Sequence, residues 1–188
     1  MPLATLPVLT PALPEIFLAV AALLLLMAGV FSNAETNTRT ISYASILVLL
    51  VTIPFVGMVT EGRSVTFGGA FVTDTFAVYI KALVLISAAA AILMSKDYLK
   101  IQGIERFEFP VLIVLATLGM MMMISANDLI ALYLGIELQS LSLYVIASFQ
   151  RDSTRSAEAG LKYFVLGALS SGMMLYGMSM IYGFSGST

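Results

Sequence analysis

The sequence contains no cysteine, no histidine and no tryptophan, and only 11% of its 188 residues are charged. Without cysteine, the chain can form no disulfide and can ligate no iron–sulfur cluster. Without histidine, it also lacks the usual ligand of haem and transition metals. We therefore predict no metal and no cofactor in this chain, and any redox reaction that involves it has to occur in another subunit.

The scarcity of charge is matched by an abundance of apolar residues. Hydrophobic residues make up 60% of the chain, and its mean hydropathy is +1.00. Soluble domains carry about 25% charged residues, so this composition indicates a membrane protein. The first apolar run follows no basic residue, which predicts a membrane span and not a cleaved signal. A net charge of −2 without a basic patch gives no indication of nucleic-acid binding.

Six apolar runs are long enough to cross a bilayer, which requires about 20 residues per helix. They predict an all-α fold, a polytopic transmembrane helical bundle. The predicted spans are Leu13–Ser32, Ile41–Thr60, Thr75–Ser95, Phe109–Ala126, Leu129–Phe149 and Ala157–Phe184.

The basic residues in the connections between spans predict the orientation. The first, third and fifth connections carry six of them, against one, Arg63, on the other side. Because cytoplasmic loops are enriched in lysine and arginine, we expect these three connections in the cytoplasm and the N-terminus outside. The six are Arg39, Lys96, Lys100, Arg106, Arg151 and Arg155.

The fifth predicted span carries a carboxylate, Glu137, near its middle. A charge at this depth costs about 2.5–3.5 kcal/mol on insertion scales, so intramembrane carboxylates usually mark ion paths. Helical spacing places Tyr133, Ser140, Tyr144 and Ser148 on the same face as Glu137. We interpret this face as directed at partner helices or water. The alternative is a protonated glutamate that anchors a helix interface by hydrogen bonding.

Lys162, near the start of the sixth span, allows two interpretations. Glu158 precedes it by four residues, the favoured order for an ion pair on a helix surface, and such a lysine can also extend toward the headgroups. The pairs Gly167/Ser171 and Ala168/Gly172 have the spacing of small residues that allows close helix packing, so we expect the sixth helix inside a bundle. That position would bring Lys162 inside as well and give it a role in an ion path.

Three other features have simpler interpretations. We expect Lys81, near the outer end of the third span, to extend to the membrane surface, and Asp128 to cap the N-terminus of the fifth helix. The consecutive methionines Met120–Met123 predict adaptable packing and no metal site. The third connection, 96–108, either lies amphipathically on the membrane surface or is a solvated connector.

Several stretches resemble the antiporter-like membrane subunits of respiratory complex I. They are Glu108–Met120, Ser125–Leu129 and Leu134–Leu141, with Leu13–Leu18 and Glu158–Phe164. Within that family they are similar to the subunit N type of bacterial proton-translocating NADH:quinone oxidoreductase. The pattern Glu-Leu-x-Ser-Leu that begins at Glu137 carries much of this resemblance.

The resemblance implies a fold of about fourteen helices, with three leading helices followed by two inverted five-helix repeats. Residues 1–108 would then form the three leading helices and a cytoplasmic loop. Residues 109–188 would form the first three helices of an incomplete first repeat. We accordingly expect the chain to be part of a longer subunit of the bacterial inner membrane.

The resemblance also implies a function, as a membrane-arm subunit that contributes part of a proton-translocation channel. Glu137 would set the charge of a channel lysine beyond residue 188, and Lys162 would match a lysine on the cytoplasmic side of the path. Tyr133, Ser140 and Tyr144 would be possible polar lining. NADH, FMN, iron–sulfur clusters and quinone would belong to partner subunits, among which we expect the antiporter-like subunit M and small membrane subunits.

Two alternatives remain open from the sequence. The chain could belong to a multisubunit cation/proton antiporter or a membrane-bound hydrogenase, which share this fold and glutamate. It could also be a membrane scaffold or assembly protein without an ion path. The second alternative predicts that Glu137 can be replaced without loss of proton transport.

Overall fold

The computed structural model describes residues 8–31, 34–58 and 62–187, without the side chains of 34–37. Six helices in it are long and apolar enough to cross a membrane, which confirms the predicted number of spans and the all-α class. The predicted span ends Ser32 and Thr60 lie outside the described residues. The helices are α1 (Leu13–Phe31), α2 (Ala34–Met58), α3 (Thr75–Ile101), α4 (Glu108–Ser125), α5 (Leu129–Ala147) and α6 (Thr154–Ser185).

Side-chain caps fix where three of these helices begin. The carboxylate of Asp74 accepts a hydrogen bond of 2.7 Å from the Ala77 amide at the start of α3. Asp128 does the same for α5, where the Ala131 amide donates over 2.7 Å, so its predicted capping role is confirmed. Ser153 caps α6. These caps satisfy amide donors that a helix N-terminus otherwise leaves without a partner.

The four helices α1 to α4 enclose the apolar core. Leu18, Leu49, Leu85, Val114 and Met121, contributed by all four helices, are fully buried in one cluster. Beyond this core, α5 packs on α4, and α6 packs on α5. The expectation that α6 lies inside a bundle is therefore not met within these residues, because one face of α6 contacts α5 and most of its other side chains are exposed.

The backbones of α4 and α5 approach each other closely at two glycines, Gly119 and Gly135. A Cβ atom on Gly119 would lie 2.7 Å from the carbonyl oxygen of Gly135 and from the amide nitrogen of Gln139. A Cβ atom on Gly135 would lie 2.9 Å from the Gly119 carbonyl oxygen. Since such distances are too short for any side chain, only glycine allows this contact.

A small hairpin that the sequence analysis did not predict connects α2 to α3. Strand β1 (Ser64–Thr66) pairs in antiparallel fashion with β2 (Phe71–Thr73), and Phe71 forms a further bridge to Ala126 at the end of α4. The amide nitrogen of Asn127 donates to the Ala70 carbonyl over 2.9 Å. The hairpin thus attaches the leading helices to the turn between α4 and α5.

The connection between α3 and α4 folds back onto the bundle. The ring of Phe107 packs against α1 at Gly29 and against a small apolar cluster with Leu25 and Ile41. Tyr98 and Ile101 remain 61% and 82% exposed. Phe107 therefore anchors the connection to the bundle, and Leu99, within the predicted range 96–108, is buried as well. Both interpretations of its exposed residues stay predictions.

Candidate functional site

The polar face of α5 lies against α6 near the N-terminal end of α5, as the helical spacing predicted. The hydroxyl groups of Tyr133 and Ser171 are 2.9 Å apart and form a hydrogen bond between the two helices. Both residues are half-buried. Because Ser171 is one member of the predicted small-residue pair, its small side chain both allows the approach of α5 and provides a hydrogen-bonding partner.

The same face contacts α6 again near the other end of α5. The ring of Tyr144 meets the rings of Tyr163 and Phe164 edge-on, with centroid distances of 4.7 and 5.7 Å. Its hydroxyl group lies where a side chain on Gly167 would be, and Ser148 lies in the same way against Gly160. The predicted small-residue packing of α6 is confirmed at Gly167, because a larger residue there would displace Tyr144. The second predicted pair makes no such contact among the described residues, since Ala168 is exposed and a Cβ atom on Gly172 would meet nothing.

Glu137 lies on α5 between these two contacts, one turn from Tyr133 and about two turns from Tyr144. It is half-buried, as is Ser140 on the same face. Among the residues that the structure describes, Glu137 forms no hydrogen bond and no ion pair. A carboxylate in the middle of an apolar helix is thus left without a compensating partner from these six helices.

Lys162 lies on the exposed side of α6. Its Nζ atom is 2.5 Å from Oε1 of Glu158, and the two side chains are 69% and 64% exposed. Gly160, two positions earlier, faces α5, so helical geometry turns Lys162 away from that helix. The local ion pair anticipated from the spacing is present, and the described residues do not bring Lys162 and Glu137 together.

A second ion pair, which sequence reasoning missed, lies inside the leading helices. Nζ of Lys81 on α3 is 2.6 Å from Oε1 of Glu15 on α1, and their side chains are 0% and 7% exposed. The same Nζ atom lies 5.0 Å from the ring centroid of Phe71 in the hairpin. The prediction that Lys81 extends to the membrane surface is therefore wrong, because α1 and the hairpin cover it.

One signal in the sequence could have revealed this pair. Glu15 begins the first apolar run, and no basic residue within one helical turn can neutralise it. Lys81 lies at a similar distance from the N-terminal end of another span. Two opposite charges at one level of a membrane bundle favour each other as partners, since either charge alone is costly there.

The described residues offer no site for a metal. They contain no group of three or more His, Cys, Asp or Glu side chains close enough to share an ion. The polar groups on the face of α5 that carries Glu137 are hydroxyl groups and one carboxylate. Such groups exchange protons and accept or donate hydrogen bonds.

Comparison with known proteins agrees with the resemblance seen in the sequence. Residues 126–188 match the family described as NADH:quinone oxidoreductase/Mrp antiporter, TM. The chain is 56% identical over 185 residues to NADH-quinone oxidoreductase subunit N of Parvibaculum lavamentivorans, covering 98% of this chain and 38% of the relative. It is also 56% identical over 183 residues to subunit N of Rhodospirillum rubrum, with 96% and 37% covered.

Two solved structures share the fold. A chain of respiratory complex I from Thermus thermophilus matches with a TM-score of 0.77 and 27% identity, over 93% of this chain and 38% of that one. A chain of the archaeal membrane-bound sulfane sulfur reductase matches with a TM-score of 0.68 over 95% of this chain and 37% of that one. At 21% identity, the second match concerns the fold alone.

These matches extend over nearly the whole chain, whereas the chain spans less than two-fifths of the length of the curated relatives. The residues that carry the resemblance include the helix with Glu137, which lies inside the matched family region. Over these 188 residues the chain is similar to the antiporter-like membrane subunits of NADH:quinone oxidoreductase, and among them to subunit N.

Proposed function

We propose that this chain forms part of a proton-translocation path in the membrane arm of NADH:quinone oxidoreductase, with Glu137 as its central group. The observation that carries the proposal is the position of Glu137, half-buried in the middle of α5 with no ion pair or hydrogen bond among the described residues. An intramembrane carboxylate without a structural partner has the properties expected of a group that gains and loses a proton.

A cation supplied by another part of the longer protein would control that proton. An opposite charge favours the ionised form of a carboxylate, and burial without it favours the protonated form. A cation that approaches and leaves Glu137 would therefore make it release and take up a proton. Tyr133, Ser140 and Tyr144 would line this path, because they share the face of α5 on which Glu137 lies.

Lys162 is the second residue that we propose for the proton path, on its cytoplasmic side. Its pairing with Glu158 supports a local role, and its exposure on the free side of α6 leaves it accessible to further helices. We propose that such helices cover this side of α6 and bring Lys162 into the path. Proton pumping by the Lys162→Met, Lys162→Arg and Glu158→Gln variants separates the two roles.

The remaining parts of the proposal concern organisation. Residues 1–108 would form the leading helices with a cytoplasmic loop, and 109–188 the first helices of an antiporter-like repeat. The N-terminus would face outward from the bacterial inner membrane. NADH, FMN, iron–sulfur clusters and quinone would be held by partner subunits, and the chain would contact the antiporter-like subunit M and small membrane subunits.

A cation/proton antiporter subunit is the second candidate, because the description of the matching family includes Mrp antiporters. The high identity to proteins that are themselves subunit N favours the oxidoreductase over this candidate and over a membrane-bound hydrogenase. A scaffold without an ion path differs from both, since it gives Glu137 no function.

The test replaces Glu137 in the full-length subunit within the assembled complex. Glu137→Ala and Glu137→Gln should both reduce proton pumping by more than half with the complex intact, because neither side chain can carry the proton. Asp152→Asn is the matched control, since Asp152 is an exposed carboxylate in the connection between α5 and α6. Normal pumping by the assembled Glu137→Gln complex would refute the proposal and favour the scaffold.

A further inference from the structure

A polar cleft opens between α2 and α3 at the end of the bundle that carries the third connection. It has a volume of about 300 Å³ and does not overlap the face of α5 with Glu137. Its lining residues are Arg39, Tyr43, Lys96, Asp97, Lys100 and Glu105. None of the functions considered above uses these residues.

The cleft brings basic groups from two helices together around one aromatic ring. Nζ of Lys96 lies 3.5 Å from the ring centroid of Tyr43, and the guanidinium carbon of Arg39 lies 5.8 Å from it. Such cation–π contacts hold a positive charge in place without neutralising it. Among the described side chains, Arg39, Lys96 and Lys100 form no ion pair with a carboxylate. The cleft therefore presents oriented positive charges that are free to bind an anion.

The net charge of the cleft indicates how much negative charge its ligand should carry. Its three basic groups and two carboxylates, Asp97 and Glu105, leave a net charge of +1. A phosphodiester carries one negative charge, and its oxygens accept hydrogen bonds from guanidinium and ammonium groups. The carboxylates make the cleft less suitable for a more highly charged anion.

An apolar surface continues from the cleft toward the middle of the membrane. Leu47 lies one turn beyond Tyr43 on α2, and Leu93 lies one turn beyond Lys96 on α3. Their side chains are 61% and 58% exposed. If the phosphate of a ligand lies in the cleft, the rest of the ligand contacts these leucines. That part of the ligand should therefore be apolar.

We propose that this cleft binds a phospholipid, with the phosphodiester held by Arg39, Lys96 and Lys100 and an acyl chain lying on Leu47 and Leu93. Basic residues at the membrane surface attract lipid phosphate, and pockets between helices retain headgroups. Free phosphate would satisfy the same basic groups, but it would leave the two leucines uncovered. The phospholipid therefore fits both parts of the site.

Photolabelling of the full-length protein in its assembled complex tests this site. The probe is a phosphatidylglycerol with a diazirine in its acyl chain, and mass spectrometry locates the labelled peptides. Label should appear on the peptides that contain Leu47 or Leu93. Unlabelled phosphatidylglycerol should compete for the site, whereas diacylglycerol, which lacks the phosphate, and inorganic phosphate should not.

Substitutions at the basic groups complete the test. Retention of the probe should fall about 25-fold in the Arg39→Gln/Lys96→Gln variant, since each basic group near a membrane surface contributes about fivefold. The matched control is Arg151→Gln/Arg155→Gln, exposed basic residues outside the cleft at the same end of the bundle, which should retain the probe. If the first double variant fails to assemble, Lys100→Gln replaces it in the test, because Lys100 is exposed and its substitution should not disturb folding. This variant should lower retention of the probe about fivefold.

Three results would overturn the proposal. Labelling of these peptides that is unchanged in both the double variant and Lys100→Gln would show that the basic groups bind no phosphate. Equal competition by inorganic phosphate would indicate a site for a soluble anion. Equal competition by diacylglycerol would show that apolar contact alone holds the lipid.

Discussion

The buried ion pair between Glu15 and Lys81 leads to a prediction about single and double substitutions. At 2.6 Å, the two unit charges attract each other by about 6 kcal/mol at an effective dielectric constant of about 20. Removing both charges from water costs several kcal/mol per ion, so the pair contributes little net stability. Removal of one partner, however, leaves the other charge buried and unpaired, which costs about 3–5 kcal/mol.

We therefore expect Glu15→Leu and Lys81→Met each to destabilise the protein strongly, and the double variant to recover most of the loss. The measurement is the temperature at which the full-length subunit dissociates from the detergent-solubilised complex, followed on native gels. Arg63→Met is the control, because Arg63 is an exposed cation at the same end of the bundle. It should leave that temperature unchanged.

Additive losses in the double variant would refute this reasoning, because they would mean that the two charges do not compensate each other. Tolerance of both single substitutions would refute it as well. If the double variant is stable but no longer pumps protons, the pair acts in transport and not in packing. The expected double variant is stable and pumps normally.

Three further predictions concern α6, the orientation and the α4–α5 contact. Lys162→Met and Lys162→Arg should both reduce proton pumping, whereas Glu158→Gln should have little effect. An equal loss of pumping in Glu158→Gln would mean that Lys162 acts only through its ion pair with Glu158. Single cysteines at Gln102 and Val65, in a chain that has none of its own, should react with an impermeant reagent from the cytoplasmic and outer side respectively, and the reverse pattern would invert the topology. Gly119→Ala should cost about 1–3 kcal/mol through backbone displacement in the same dissociation assay, and an unchanged dissociation temperature would contradict the importance of this contact.

The features that could be predicted from the sequence are local ones. Apolar runs located all six helices, because the length of a span is dictated by the membrane. The cap at Asp128 and the pair Glu158–Lys162 followed from spacings of three and four residues, which a helix converts directly into contacts. The orientation of Tyr133 and Tyr144 toward α6 followed from the same periodicity.

The features that could not be predicted depend on the arrangement of helices far apart in the chain. Glu15 and Lys81 meet only because α1 and α3 are neighbours, and no periodicity within either helix indicates this. The hairpin was missed because strands of three residues are too short to show an alternating pattern. The exposure of Lys162 depends on what lies beside α6, which the residues of that helix do not specify.

The glycine contact between α4 and α5 has a mechanical consequence for Glu137. Because no side chain separates the two backbones at Gly119 and Gly135, any sliding or rotation of α5 against α4 would bring backbone atoms into collision. The bridge between Phe71 and Ala126 connects the C-terminal end of α4 to the hairpin between α2 and α3. The glycine contact restricts movement of α5 relative to α4, so under the proposed proton-transfer function we expect the cation to move and Glu137 to stay in place.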